Sequence, residues 1–250
     1  MKSLIKLEFY KLRKRKSLYI CLGIILAQVI LSGVLTKLMA DMDPLYAQLV
    51  EVSGVVFMVE AMYISSFTLV AGIFAVLFVC EDFSQQTIKN IIGKGYSRVS
   101  FYMAKALALC AAVSFMFLVT VLFSFGVGTA FFEAGSIYSR FFAIMGAQYL
   151  AVMAEMGAAF FIALLIRTIG WSVATYIITP AVGAIVFSLL DLAFDKINLT
   201  VSDYWYPNML SALTYPPISN ATLTRVLVTS AVYIAVFLAA GIFLRKRSEI

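Results

Sequence analysis

Three carboxylates fall in or beside long apolar runs of this chain: Glu60, Glu155 and Asp191. Acids in such places carry protons, contact cations on a transport path, or form half of a catalytic pair. The three are far apart in sequence, so a catalytic pair would have to be assembled by folding. The other reagents of hydrolytic chemistry are missing. The sequence has no histidine, which removes the commonest general base and metal ligand. It has no Gly-x-x-x-x-Gly-Lys-Ser/Thr run to cradle a nucleotide phosphate and no Gly-x-Ser-x-Gly. Cys21, Cys80 and Cys110 show neither metal spacing nor a disulfide framework, and read as small core residues. The expectation is a chain that is not itself an enzyme and holds no metal.

Glu155 lies inside the run 141–166, which is otherwise free of charge. A charged carboxylate facing lipid at mid-span costs about 2.5 kcal/mol or more, so Glu155 is expected to face the protein interior. Two roles remain open for it there: a contact on a substrate path, or a hydrogen-bonded group at a helix interface. Glu60 is the second candidate for the path, or else sits at the outer headgroup level. Asp191 is expected to cap the outer end of a span.

The elements that position these acids follow from composition. Of the 250 residues, 63% are hydrophobic and 13% charged, with a mean hydropathy of +0.98. A soluble domain carries about 25% charged residues, so this chain needs lipid as its solvent. Spanning helices need roughly 20 apolar residues. Such runs predict an all-α bundle of six spans at 17–36, 56–80, 101–129, 141–166, 168–190 and 226–244. The net charge of +6 does not point to nucleic acid, because the basic residues stand at the edges of the apolar runs. Fifteen of the 19 basic residues fall on one side if both ends of the chain share that side. The positive-inside rule makes it the cytoplasmic side of a cell membrane.

Three segments outside the spans have distinct characters. Residues 1–16 mix apolar and basic positions, with Ile5, Phe9 and Leu12 on one helical face, and predict a helix lying on the inner leaflet. Residues 81–100 form a cytoplasmic loop opening on Glu81 and Asp82, acids that complement a helix dipole, with Phe83, Thr87 and Ile88 as an apolar face. Residues 192–224 are rich in proline and aromatics, among them Tyr204, Trp205, Tyr206 and Tyr215, and are expected to dip back into the membrane behind neighbouring helices. Gly126, Gly128 and Gly157-Ala158-Ala159 are expected to let helices approach closely.

This plan resembles the permease subunit of type-2 ABC exporters. Glu8-Phe9-Tyr10-Lys11-Leu12-Arg13-Lys14 looks like that family's signature before the first span. The run from Glu81 to Asn90, followed by Ser97-Arg98 and Lys105, looks like its loop after the second. The nearest look-alikes are permeases of bacitracin or lantibiotic immunity and of amphipathic peptide toxins. The resemblance implies a separate cytoplasmic ABC ATPase that carries ATP and magnesium. It implies a coupling helix at 81–92, with Glu81, Asp82, Phe83, Thr87, Ile88 and Lys89 meeting that ATPase, and a second permease, identical or related. The cargo expected is an amphipathic or antimicrobial peptide, or another hydrophobic compound, moved outward. The competing reading is a stand-alone secondary transporter or channel with Glu155 as its coupling group.

Overall fold

The computed structural model describes residues 2–42, 53–64, 66–84, 91, 93, 95–137, 139–194, 200–214 and 218–247. The described residues form helices α1 (Lys2–Lys14), α2 (Lys16–Met42), α3 (Gly54–Ile64), α4 (Phe67–Ser84) and α5 (Arg98–Phe131). They continue with α6 (Phe141–Ile166), α7 (Ile169–Phe194), α8 (Tyr206–Ser211) and α9 (Asn220–Arg247). Six of them, α2, α4, α5, α6, α7 and α9, are long and apolar enough to cross a membrane. The fold is an all-α membrane bundle.

Helix α6 is its centre, packed against α4, α7, α8 and α9. The reason is a face of small residues: Ala147, Ala151, Ala154, Ala158, Ala159 and Ala163 are all buried. In lipid, helices gain little from excluding water, so close packing of small side chains holds them together. Gly128 serves the same end on α5, where a Cβ would come within 2.9 Å of the Gly54 backbone of α3. Gly126 faces open space and contributes no such approach.

The second span differs from expectation. The stretch predicted as one helix over 56–80 is divided between α3 and α4, with Ser66 in the left-handed region at φ 49° between them. That conformation is uncommon for a residue with a Cβ and ends the helical hydrogen-bond ladder. Neither Gly nor Pro marks the break. The interfacial helix differs too. Its buried face is Leu4, Glu8 and Leu12, while Phe9 is exposed. The packed stripe is offset from the one apolar residues alone would select, because a carboxylate occupies its middle.

Two connections fix the ends of the bundle. Between α6 and α7, Arg167 adopts φ 65° and donates its N–H to the Ala163 carbonyl at 3.0 Å, which lets the chain reverse in two residues. In the last turn of α7, Asp191 accepts N–H bonds from Val201 and, at 3.0 Å, from Ser202. It therefore ties the end of its helix to the next segment. That segment buries Tyr206, Met209, Leu210 and Leu213. Trp205 stacks on Phe187 with ring centroids 4.8 Å apart and donates its indole N–H to the Pro180 carbonyl at 3.3 Å.

Candidate functional site

The base of the bundle, where α1 meets the lower ends of α4 and α5, carries a buried charge cluster. Glu8 comes from α1, Asp82 from the last turn of α4 and Lys105 from the third turn of α5. Lys105 Nζ lies 2.9 Å from Glu8 Oε2 and also pairs with Asp82. Lys11 Nζ closes the set at 3.1 Å from Asp82 Oδ1 and 3.4 Å from Glu8 Oε1. Glu8, Asp82 and Lys105 are all buried. Two acids and two lysines cancel, so the cluster takes no net charge into a low-dielectric site. Such a set gives little net stability over apolar packing, but removing one member leaves a charge stranded. The ammonium of Lys105 also stands 3.9 Å from the Phe78 ring centroid, a cation–π contact that replaces part of its lost hydration.

Around the cluster, Arg15 pairs with Glu81 at 2.6 Å and lies over the other side of the base, 4.9 Å from the Phe78 ring centroid. Arg167, from the α6–α7 turn, stands 5.9 Å from the Phe83 ring centroid. The end of α4 is thus held from three sides before the chain enters the loop. Within the chain, Lys105 and Lys11 draw Asp82 inward, and Phe83 is half-buried and packs against the core. Glu81 keeps 41% of its side chain exposed while paired. Thr87, Ile88 and Lys89 lie outside the described residues. In the sequence, the cluster partners Glu8 and Lys105 stand out only as parts of short signatures. An acid within a basic amphipathic helix, and a lysine inside an apolar span, were the signals that each needed a buried partner.

The second polar site is within the membrane. Glu155 is buried on α6 and contacts the Tyr176 hydroxyl of α7 at 3.1 Å. That hydroxyl also donates to the Thr68 carbonyl of α4 at 2.7 Å. A phenol has one hydrogen. The Tyr176 hydroxyl hydrogen is therefore shared between the Thr68 carbonyl and the Glu155 carboxyl. The site thus joins α4, α6 and α7 through one acid and one phenol. Gly72 makes room for it, since a Cβ there would overlap the Tyr176 ring. Two turns before Glu155, Gln148 donates to the Val59 carbonyl at 3.0 Å and ties α3 to the same helix face. Glu60 does not join this site. It is buried on α3, and its side chain forms no ion pair among the described residues. Among those residues no cluster of acids and cysteines is arranged to hold a metal.

A six-span bundle with a charged, clamped loop base and a buried intramembrane acid is a multi-pass membrane protein with the organisation of a transporter. A family model described as ABC-2 family transporter protein matches residues 4–191, and the chain belongs to that family. The matched region holds the charge cluster and the Glu155–Tyr176 site. Membership makes the chain the membrane component of an ABC transporter rather than its ATPase, and implies partnership with an ABC ATPase. It gives no support to a stand-alone transporter or channel. No curated protein matches the chain.

Proposed function

We propose that the chain is the permease of an ATP-driven exporter in the cell membrane, moving amphipathic or antimicrobial peptides or other hydrophobic compounds outward. Both termini and the loop after α4 face the cytoplasm. A separate ATPase subunit there binds ATP and magnesium, and its movement enters the permease through residues 81–92. A second permease, identical or related, completes the pathway. It packs along α7, whose most apolar stretch is left unburied within the chain.

The observation that carries this reading is the clamp on Asp82. The cluster joins the helix leading into the coupling segment to α1 and α5, so a push on that segment moves three elements together. A loop without a mechanical role would need no such anchorage. The test is co-expression with a candidate ATPase, followed by co-purification in detergent and an ATPase assay. Ile88→Asp should leave the permease in the membrane while abolishing co-purification or coupled hydrolysis. Ile88 is a cleaner probe than Phe83, whose ring supports the fold. Normal assembly and coupling in Ile88→Asp would remove residues 81–92 from the mechanism.

A further inference from the structure

The segment that follows α7 reaches far into the bundle. The Trp205 indole N–H on the Pro180 carbonyl holds its tip beside the middle of α7, and α8 packs along α6. The seam between α6 and α8 is pinned at two levels. Toward the start of α6, Gln148 donates to the Val59 carbonyl at 3.0 Å and to the Leu213 carbonyl at 3.5 Å. Two turns along, Tyr206 shares a packing cluster with Ala151 and Ala158, the residues about one turn before and after Glu155. Tyr206 also lies within electrostatic reach of both Glu155 and Tyr176.

This arrangement leaves a buried phenol without a partner in the chain. Tyr206 is 2% exposed, and its hydroxyl forms no hydrogen bond. The donors around it are already committed. The Trp205 indole serves Pro180, the Ser230 hydroxyl serves the Met209 sulfur at 3.7 Å, and the Tyr176 hydroxyl serves Thr68 and Glu155. A stranded buried hydroxyl is costly, and a phenylalanine ring would pack in the same place without that cost. Glu155 has the capacity that the phenol lacks. A carboxyl offers about four lone-pair positions, of which Tyr176 and Thr68 use only part. The alanines on either side of Glu155 keep that stretch of the seam uncrowded. Water fits these terms, because it accepts from a phenol, donates to a carboxyl and needs two or more polar partners in a small polar gap.

We propose that one buried water molecule joins the Tyr206 hydroxyl to the Glu155 carboxyl, and that this bridge fastens the segment after α7 to α6. Tyr206 is then a positioning residue of the Glu155–Tyr176 site, which extends over α4, α6, α7 and α8. The inference holds whatever the transporter carries and in whichever direction.

The test is thermal melting of the purified full-length permease in detergent, because the two possibilities for the hydroxyl differ in sign. Removing a stranded hydroxyl leaves the melting temperature unchanged or raises it. Removing one end of a water bridge should lower it, so Tyr206→Phe is expected to melt about 2–4 °C below the wild type. In a Glu155→Met background, which keeps the length of the side chain without its oxygens, Tyr206→Phe should have no further effect. Radiolytic hydroxyl labelling, in which ordered water forms the radical beside the residue it touches, supplies the second measurement. Tyr206 should be oxidised more than Tyr102, which is equally buried but donates to the Leu238 carbonyl at 3.2 Å. If Glu155→Met fails to fold, Tyr206→Phe and the labelling carry the test. A Tyr206→Phe protein that melts at or above the wild type would overturn the proposal. So would an equal drop in both backgrounds, or a Tyr206 labelled no more than Tyr102.

Discussion

Lys105 Nζ of α5 stands 2.9 Å from Glu8 Oε2 of α1, with both side chains closed off from solvent. A residue in the first apolar span after the loop therefore decides where the N-terminal helix lies. Lys105→Met should strand Glu8 and Asp82 with only Lys11 between them, at a cost of about 3–5 kcal/mol. The expected result is a clear loss of thermal stability in detergent, partly restored by adding Glu8→Gln. A Lys105→Met protein that melts with the wild type would show that the cluster carries no strain when broken.

The basic asymmetry predicts a definite labelling pattern. In a background lacking Cys110, a cysteine at Asn208 should react with an impermeant thiol reagent added to intact cells. A cysteine at Gln86 should react only after the membrane is opened. The reverse pattern would invert the orientation and place the charge cluster outside the cell.

For Glu155, the contact with the Tyr176 hydroxyl sets the expectation. Glu155→Gln keeps the shape and an oxygen that can accept from Tyr176, so the protein should fold and assemble normally. Glu155→Ala leaves the buried hydroxyl short of a partner and should cost about 1–3 kcal/mol, read from thermal melting. Transport separates the remaining roles. A fall in transport by Glu155→Gln with assembly intact marks a substrate contact. Wild-type transport at both acid and neutral pH leaves a purely packing role.

Gly183 lies against the Trp205 indole, and a Cβ there would overlap the ring. Gly183→Ala should push Trp205 off Pro180 and loosen the segment between α7 and α9, at about 1–3 kcal/mol. In a Trp171→Phe background Trp205 is the remaining tryptophan, so its emission should shift to the red as the ring becomes exposed. Unchanged emission would mean that α7 yields instead of the indole.

The number of spans is written in the sequence by itself, because crossing a bilayer requires about 20 apolar residues in a row, and a run of that kind is visible locally. The clustering of basic residues at one end is visible in the same way. The missing nucleotide-binding loop and the signatures around Glu8 and Asp82 pointed to the family. What faces what was decided only by tertiary packing. Glu8 and Lys105 are 97 positions apart, and Asp82 and Lys105 are 23 apart. No periodicity links such residues. They meet because α1, α4 and α5 pack at one end of the bundle. The break at Ser66 and the Tyr176 bond to Glu155 have the same origin. Hydropathy reports the solvent a segment prefers, while backbone breaks and buried polar pairs depend on which neighbours the packed helices bring within hydrogen-bonding distance.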